Sequence, residues 1–350
     1  MMDKSLHEQS RLVDAVRAIE ASPRRIAVVL SEDRRILGTL TDGDVRRCLL
    51  AGGSLDTPVT DAMNPRPVLA PVGSSDGHLL DQMKRANILA VPLVDTHGRL
   101  VRMVHRNDLD PDAPAGDAVD FEFAVIMAGG QGMRLRPITE SIPKPMVDIG
   151  GMPLLGRQIE RLSKAGLRRI YLSLNYLGHV IEEHFGDGSE FGLDIRYLRE
   201  TQPLGTAGAL TLLPERPSRP ILVMNGDILT TSDFGSLHAF HHSHGADVTV
   251  AAVDYRISIP FGVIHTDGPF VSNIVEKPSQ RFLCNAGIYA VSPAALDRVP
   301  QGHPSNMTDL IESCVRSGRR VAVFPVHEYW SDIGTPADLE SARHQFLETP

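Results

Sequence analysis

The sequence predicts an α/β protein with a Rossmann-like, mostly parallel sheet, preceded by a smaller α+β unit. After residue 122, short apolar strands alternate with amphipathic helices, which is the pattern of a parallel sheet covered on both faces. Before residue 110, a unit containing two strands and a following helix occurs twice, and a repeat of this kind indicates a pseudo-symmetric pair.

Length and composition limit the possible functions. The chain has 350 residues, a formal net charge of -8 and 42% hydrophobic residues, which suits a two-domain globular protein. We expect no nucleic-acid binding, because that binding needs an excess of Lys and Arg. We also expect no membrane association, since no stretch reaches the roughly 18 apolar residues of a span. Residues 1–11 lack the apolar run of a signal peptide, and three widely spaced cysteines favour a reducing compartment, so a cytoplasmic protein is expected.

A domain boundary is predicted near residue 115. The segment 110–120, DPDAPAGDAVD, is rich in Pro, Ala, Gly and Asp and has no apolar period, which is typical of a linker. We therefore predict domains at residues 1–110 and 122–350, joined by a linker at 111–121.

The first domain contains the internal repeat. Each unit is predicted to have two strands, at residues 26–30 and 36–39 and at residues 90–94 and 100–104. The first unit then opens a helix at Thr41 and Asp44, and Asp108 holds the equivalent position in the second. Thr41 and Asp44 suit a helix cap and a ligand contact equally, because a Thr at the N-cap with an acid in the first turn stabilises a helix.

The segment GTLTDGDVRRCLL, residues 38–50, resembles the tandem CBS (cystathionine β-synthase-type) domains. The resemblance covers about residues 8–110 and implies a regulatory module in which Thr41, Asp44 and Asp108 contact an adenine nucleotide. His105 stands in the second unit where the first has Thr41. Because such pairs commonly self-associate, a dimerisation scaffold without a ligand is the alternative, and a homo-oligomer is expected.

The second domain is predicted to place polar loops at one edge of its sheet. Strands are predicted at residues 123–127, 170–174, 195–198, 221–224 and 321–324, and helices near 153–165, 178–185, 208–213 and after Pro336. Ligands of such sheets bind beyond the carboxyl ends of the strands. A glycine loop follows the first strand and Asp227 follows the fourth, so both are expected at that edge.

The glycine loop and the cations behind it suit a polyphosphate. The segment 124–145, AVIMAGGQGMRLRPITESIPKP, changes from an apolar strand to glycines and then to Arg134 and Lys144. Backbone N–H groups of such a turn form an anion site, and nearby cations bind phosphate. The predicted nucleotide-binding backbone comprises Ala128, Gly129, Gly130 and Gly132. In a P-loop the lysine directly follows the glycines, whereas here Lys144 comes twelve residues after Gly132.

Two aspartates predict a metal site. Asp227 ends an apolar strand just after Gly226, and Asp332 lies in the segment YWSDIGTP. Mg²⁺ prefers carboxylate oxygens and keeps substrate phosphates among its ligands. Together with the phosphate loop, the pair predicts metal-assisted phosphoryl transfer.

Residues 123–340 resemble the sugar-1-phosphate nucleotidyltransferases. The resemblance rests on five motifs in the order of the family, namely AGGQGMRLRPITESIPKP, NGD at 225–227, EKP at 276–278, NAGIY at 285–289 and WSDIGTP at 330–336. Met133 departs from the Thr that is usual in the family. The resemblance implies the nucleotide-diphosphosugar transferase fold. It also implies attack of a sugar-1-phosphate oxygen on the α-phosphorus of a nucleoside triphosphate, with release of pyrophosphate.

The same resemblance implies a role for each site residue. Arg134, Lys144 and Lys277 are the implied catalytic cations, on the β- and γ-phosphates, the α- and β-phosphates, and the sugar phosphate. Asp227 and Asp332 are the implied Mg²⁺ ligands. The implied sugar pocket comprises Gly262, Glu276, Lys277 and Asn285.

Base selection is expected at Gln202, Gly205 and Thr206 in QPLGTAG. The form PLGTAGAL resembles guanylyltransferases that use mannose or heptose phosphates, although those relatives often carry Glu at the position of Gln202. GTP is therefore the expected donor, with dTTP or UTP as alternatives. The acceptor that the resemblance implies is a hexosamine, mannose or heptose 1-phosphate, for the nucleotide-sugar supply of surface glycans.

A hypothesis from another class is a catalytically silent protein that senses a nucleotide or a sugar. Such a protein would have lost phosphate-binding cations or metal carboxylates. Here the five charged residues with implied roles are all present, namely Arg134, Lys144, Asp227, Lys277 and Asp332. The sequence therefore favours an enzyme.

Four histidines, His238, His241, His242 and His244, precede Gly245. They have no neighbouring cysteines or acids, so a metal site is disfavoured. A solvated helix end is expected, where a cationic His is favoured by the helix dipole.

Overall fold

The computed structural model describes residues 5–22, 25–86, 88–109 and 119–347. The chain divides into two compact units, Met1–Gly116 and Asp117–Pro350. Most of the predicted linker, 111–121, lies outside the described residues, so the predicted boundaries at 110 and 122 stay a prediction. Across the described ranges, no helix is both long enough and apolar enough to cross a bilayer.

The first unit consists of two copies of one small α+β motif. Its strands are β1 Leu6–His7, β2 Ile26–Leu30, β3 Ile36–Thr41, β4 Ala70–Pro71, β5 Ala90–Val94 and β6 Leu100–His105. Its helices are α1 Leu12–Glu20, α2 Asp42–Leu50, α3 Val59–Ala62, α4 Asp76–Ala86 and α5 Arg106–Leu109. Strands β1-β2-β3 form one sheet and β4-β5-β6 a second of the same order, with a parallel first pair and an antiparallel second pair in each. The predicted internal repeat is therefore confirmed.

Through residue 225 the second unit alternates strands and helices as predicted, whereas four strands that were not predicted follow one another between residues 248 and 291. Its strands are β7 Ala124–Met127, β8 Arg169–Leu174, β9 Asp194–Arg199, β10 Ile221–Asn225, β11 Ile228–Thr230, β12 Val248–Ser258, β13 Val263–Asp267, β14 Phe270–Val275, β15 Ser279–Val291, β16 Val321–Val326 and β17 Trp330–Asp332. Its helices are α6 Leu154–Lys164, α7 Gly178–Phe185, α8 Gly205–Gly208, α9 Phe234–Ser243, α10 Pro293–Leu296, α11 Met307–Arg316 and α12 Pro336–Leu347.

The central sheet has seven strands in the order β16-β12-β15-β10-β7-β8-β9. Neighbours are parallel along β10-β7-β8-β9 and between β12 and β16, and antiparallel only where β15 contacts β10 and β12. The predicted mostly parallel sheet is thus confirmed. In the pairing of β10 with β7, Asn225 lies opposite Met127, so the loops that follow these two residues leave the sheet side by side.

Both faces of this sheet are covered, and every side chain of the central strand β7 is apolar. Along β7, Ala124 and Ile126 belong to one buried cluster, and Val125 belongs to a second cluster on the opposite face. Successive side chains of a strand point to opposite faces, so an uninterrupted apolar strand requires cover on both sides.

A two-stranded ribbon, residues 254–283, extends from the edge of this core. It continues the β12–β15 ladder into the β13–β14 hairpin, where Ile259 N donates to Pro278 O at 3.0 Å and Lys277 N to Phe261 O at 3.2 Å. Large apolar side chains along it stay exposed, including Tyr255 at 57%, Phe261 at 72% and Phe270 at 75%.

The helix predicted at residues 208–213 is wrong in its bounds. The helical turn α8 begins earlier, at Gly205, and continues as a 3₁₀ turn through Leu212. Ala207 N and Gly208 N both donate to Ser305 O at 2.9 Å. These bonds to a distant loop decide where the turn starts, and they leave no local sequence signal.

The predicted solvated histidine cluster is wrong for His241. This residue lies on α9 but is only 2% exposed. Its Nδ1 is 2.8 Å from Thr249 Oγ1 and its Nε2 is 2.9 Å from Ser292 Oγ. Burial lowers the pKa of the imidazole to about 4, and the neighbouring His238 and His242 contribute to the shift. His241 is therefore a neutral core residue, whereas His242 and His244 are exposed as predicted.

This burial predicts a loss of stability in acid. The folded pKa of His241, about 4, is below its unfolded value of 6.5, so the stabilisation is complete above pH 6.5 and disappears as the pH falls toward 4. We expect the second unit to lose about 2 kcal/mol of unfolding free energy between pH 7.5 and pH 5 through this residue. Urea unfolding of wild type, His241→Gln and the exposed control His242→Gln at both pH values measures it. If the unfolding free energy of His241→Gln fell between pH 7.5 and pH 5 by as much as that of wild type, the assignment of His241 as a buried neutral residue would be wrong.

Candidate active site

The glycine loop leaves β7 at Ala128 and is held in place at both ends. Ala128 N donates to Ser173 O at 2.9 Å, and Thr139 Oγ1 donates to Gly132 O at 2.7 Å. Gly132 has a φ of +60°, in the left-handed region, and a Cβ placed on it would be 2.9 Å from Lys144 Cβ. The loop therefore requires glycine at 132, both for its backbone angle and for the close passage of Lys144.

Lys144 is buried beneath this loop and contacts both predicted metal ligands. Its side chain is 10% exposed, and its Nζ lies 2.6 Å from Asp227 Oδ2 and 3.6 Å from Asp332 Oδ1. Arg134 is exposed on the adjoining 3₁₀ turn. A Cβ built on Gly334 would lie 3.2 Å from Arg134 Nη2 and 3.4 Å from Asp332 Oδ2, so these two side chains lie close to each other. Four of the five charged side chains predicted around the phosphates thus come together, and Lys277 is not among them.

A small second sheet brings the two aspartates together. Strand β11 pairs antiparallel with β17, so that Ile228 lies opposite Asp332, and Ile333 N donates to Asp227 O at 2.9 Å. Because Asp227 directly precedes β11, this pairing fixes both carboxylates at one point, although they are far apart in sequence. Sequence reasoning predicted the two ligands but not the strand pair that joins them.

The charges of this cluster are only partly balanced. Burial raises the pKa of the Asp332 carboxyl and the charge of Asp227 raises it further, while Lys144 and Arg134 oppose the shift. Asp332 Oδ1 is buried and has no hydrogen-bond partner. Two adjacent carboxylates with a free acceptor oxygen suit a divalent cation that takes oxygen ligands, so these residues fit the predicted metal.

Gln158 holds the backbone on both sides of Asp227 through hydrogen bonds, and sequence reasoning missed it. Its Nε2 donates to Asn225 O at 3.0 Å and to Ile228 O at 2.6 Å, on either side of Asp227. Gln158 lies on α6 among the buried residues that face the core, and it is 4% exposed. A polar residue on the apolar stripe of a helix was the signal that could have found it, since buried amides need partners.

Glu200 connects the glycine loop to the predicted base segment and was also missed. Its Oε1 accepts from Ser173 Oγ at 2.6 Å, and its Oε2 accepts from Leu204 N at 2.8 Å. The same Oε1 is 3.3 Å from where a Cβ on Gly129 would lie. The carboxylate therefore holds the segment 202–208 beside the phosphate loop.

Within that segment the predicted residues differ in exposure. Gln202 is exposed. Gly205, at φ +76°, is pressed against Ser305 O, which would be 2.6 Å from a Cβ. Thr206 Oγ1 accepts from Met307 N at 2.9 Å. The hydroxyl of Thr206 thus accepts one hydrogen bond within the protein and keeps its proton to donate.

The predicted sugar residues lie in two places. Glu276 Oε2 is 2.9 Å from where a Cβ on Gly262 would lie, and Lys277, with φ +46°, follows on the exposed ribbon. Asn285 lies closer to the core, where its Oδ1 accepts from Gly287 N and its Nδ2 donates to Tyr289 Oη, both at 2.9 Å. Burial raises the pKa of Tyr289, and Asp227 contributes to that shift. Tyr289, the hydrogen-bond partner of Asn285, is therefore near enough to Asp227 to feel its charge.

The predicted regulatory residues form helix caps. Asp44 Oδ2 accepts from Thr41 N at 2.8 Å and from Thr41 Oγ1 at 2.6 Å, which caps α2. Asp108 Oδ2 accepts from His105 N at 2.9 Å in the second repeat. The cap is thus present in both units, and a ligand contact would be an additional role.

A glycine loop, a buried lysine and paired carboxylates at the carboxyl edge of a parallel sheet define a nucleoside-phosphate-binding α/β protein. Sequence comparison narrows the class. The model of the Nucleotidyl transferase family matches residues 123–349, and the CBS domain model matches residues 4–51 and 59–111. The chain therefore belongs to the nucleotidyl transferase family and carries tandem CBS domains in front.

Individual relatives agree with this family. The chain is 35% identical over 224 residues to a mannose-1-phosphate guanylyltransferase of Mycobacterium tuberculosis, covering 62% of both chains. It is 33% identical over 235 residues to mannose-1-phosphate guanyltransferase beta-A of Xenopus laevis, covering 65% of both. It thus spans somewhat less than two thirds of the length of each relative. The crystal structure of HddC from Yersinia pseudotuberculosis complexed with GMP-PN matches with a TM-score of 0.51 and 30% identity, over 64% of this chain and 98% of that one.

Proposed function

We propose that this protein transfers the nucleoside monophosphate of GTP to a sugar-1-phosphate and releases pyrophosphate. The observation that carries the proposal is the convergence of Lys144, Asp227 and Asp332 beneath the glycine loop. The guanylyltransferase relatives and the neighbour that holds GMP-PN support this reaction and this base.

The chemistry needs charge stabilisation more than a general base. A sugar phosphate, with a second pKa of about 6, is largely dianionic at pH 7 and attacks without losing a proton. The protein has to bring two polyanions together and stabilise the charge of the leaving pyrophosphate. Arg134 binds the β- and γ-phosphates, Lys144 the α- and β-phosphates, and Lys277 the sugar phosphate. Asp227 and Asp332 would hold the Mg²⁺ ion, which would supply positive charge near the reacting phosphates.

Mannose 1-phosphate is the acceptor that we propose, with a heptose or hexosamine 1-phosphate as the nearest alternatives. The names of the curated relatives support it. The carboxylate of Glu276 accepts hydrogen bonds from sugar hydroxyls, and Gly262 beside it leaves room for the ring. The product serves nucleotide-sugar supply for surface glycans, and we place the reaction in the cytoplasm because the three cysteines are unpaired.

A matrix of four nucleoside triphosphates against several sugar 1-phosphates tests the proposal. With the full chain and Mg²⁺, we expect pyrophosphate release to be fastest with GTP and mannose 1-phosphate. We expect a preference of at least about a hundredfold over other bases, since hydrogen bonds to the base edge discriminate strongly. Preference for dTTP or UTP would show the base assignment to be wrong. Release with no pair would leave the silent sensing protein as the explanation.

The tandem CBS domains bind an adenine nucleotide in our proposal, at Thr41 and Asp44 with Asp108 at the equivalent position. The match of both repeats to the CBS model supports a regulatory module. Calorimetry of the full chain against AMP and ATP tests the assignment, with Asp44→Asn expected to abolish the heat. No heat with either nucleotide would favour a dimerisation scaffold.

The exposed ribbon, residues 254–283, supports the proposal of a homo-oligomer. Eleven large apolar side chains on its two faces together are 37–75% exposed, which amounts to on the order of 1,000 Å² in total. Monomers rarely exceed patches of about 300–600 Å², and a stable interface buries about 800 Å² on each partner. An isolated two-stranded ribbon is also only marginally stable in water. A second copy of this chain is the occupant that we propose.

Substitutions on the two faces of the ribbon are expected to have different effects. Ile257 shares one face with Tyr255 and Phe282, whereas Ser258 points to the opposite face, beside the ion pair of Asp254 and Arg281. We expect Ile257→Arg to shift sedimentation from oligomer to monomer and to weaken sugar-phosphate binding, since Lys277 lies on the same ribbon. Ser258→Arg is the matched control. An equal response of the two variants, or a monomeric wild type, would contradict the proposed interface.

A further inference from the structure

Lys144 stands between the two carboxylates that fit a divalent cation. Its ammonium is within ion-pair distance of Asp227 Oδ2 at 2.6 Å and of Asp332 Oδ1 at 3.6 Å. Asp332 Oδ1 has no hydrogen-bond partner of its own. Lys144 thus neutralises part of a charge cluster that would otherwise consist of two adjacent anions.

An ammonium in this place and a divalent cation exclude each other. Mg²⁺ requires its oxygen ligands at about 2.0–2.1 Å in near-octahedral geometry. Lys144 Nζ donates a hydrogen bond to Asp227 Oδ2 and lies 3.6 Å from Asp332 Oδ1. These are two of the oxygens that such an ion would need as ligands. Two positive groups that share these oxygens would also repel each other strongly in a partly buried site.

The aliphatic part of the Lys144 side chain lies where its ammonium can also reach a phosphate bound at the glycine loop. Lys144 Cβ passes directly under the phosphate loop, 2.9 Å from where a Cβ on Gly132 would lie. The four-carbon side chain is flexible, and its ammonium binds phosphate as well as carboxylate. A rotation of the side chain about this anchored stem therefore takes Nζ from the aspartates toward a bound polyphosphate.

We propose that Lys144 is an exchange cation, which occupies Asp227 and Asp332 while the nucleotide is absent and moves to the phosphates when nucleotide and metal arrive together. The inference rests on the proposed function, because it assigns the aspartates as metal ligands. It adds to that function a control of metal binding. Asp227 and Asp332 bind a divalent cation weakly while nucleotide is absent, and they bind it tightly only together with the nucleotide.

Removal of the ammonium is expected to tighten metal binding in the absence of nucleotide. The probe is Mn²⁺, measured by electron paramagnetic resonance with the full chain. We expect Lys144→Met to bind Mn²⁺ at least about tenfold more tightly than wild type, because two bare carboxylates replace a neutralised pair. Lys164→Met, which removes an exposed lysine paired with Glu160, is the charge-matched control and should bind Mn²⁺ as wild type does.

Further variants keep the test decisive. Lys144→Gln, whose amide can still donate to Asp227, guards against misfolding of Lys144→Met and should show the same gain. Lys144→Arg retains the charge and should bind Mn²⁺ as weakly as wild type. Affinity that is unchanged or lower in both neutral variants would overturn the exchange. If wild type turns over without any divalent cation, the metal assignment of the proposed function fails instead.

Discussion

Asp227→Asn is expected to lower kcat/KM for pyrophosphate release by about two to three orders of magnitude. The amide has nearly the shape of the carboxylate but lacks its charge, so it weakens both the metal site and the ion pair with Lys144 at 2.6 Å. Steady-state kinetics with GTP and mannose 1-phosphate measures the effect. Removal of the metal with EDTA should produce a similar loss in wild type.

Asp297→Asn is the matched control for this variant. Asp297 forms a surface ion pair with Arg216 at 2.7 Å, and exposed pairs contribute only about 0–1 kcal/mol to stability. We expect its turnover to equal that of wild type. If Asp227→Asn turned over normally while remaining folded, the assignment of Asp227 as a metal ligand would be wrong.

The second large effect is expected for Gly132→Ala. Gly132 has a φ of +60°, and the added Cβ would lie 2.9 Å from Lys144 Cβ and 3.0 Å from Thr139 Cγ2. We expect a loss of about 2 kcal/mol in unfolding free energy, from left-handed strain and crowding. Turnover should fall as well, because a displaced Lys144 no longer serves the phosphates. Urea unfolding and kinetics measure the two effects.

Gly130→Ala separates strain from phosphate contact. A Cβ at Gly130 meets no protein atom within 4 Å. Its unfolding free energy should therefore change by no more than about 0.5 kcal/mol, whereas KM for GTP should rise because the backbone approaches the nucleotide less closely. Equal destabilisation by the two alanines would refute the special backbone requirement at Gly132.

Local patterns in the sequence were sufficient to predict most of the second unit's core. The apolar runs 124–127 and 221–224 are short and are followed within two residues by glycine, and such segments are typical of buried central strands. The exposed ribbon was not predicted, although Tyr255, Ile257 and Ile259 alternate with polar residues as in a strand, because the sequence does not show which distant segment this strand pairs with. Strand β11 is also missing from the prediction, since three residues are too few to show a period.

The site was predictable as an inventory of residues but not as an arrangement. The spacing of glycines, cations and aspartates indicated which side chains carry charge to a phosphate. Gln158 and Glu200 escaped notice because their importance comes from partners far away in sequence, Asn225 and Ser173. We expected His241 to be solvated, as its neighbours His242 and His244 are. Its hydrogen-bond partners are distant in sequence, since Thr249 lies on β12 and Ser292 directly follows β15.

The sequence by itself determined that this chain combines a tandem CBS module with a nucleotidyl transferase domain, because motif composition and order are local properties. Only the tertiary structure decided that Asp227 and Asp332 share one point, since that depends on the pairing of β11 with β17. It also decided that Lys144 contacts these aspartates. The physical reason is that a lysine can bind a phosphate or a carboxylate equally well, and only the packing around its stem determines which anion is within reach.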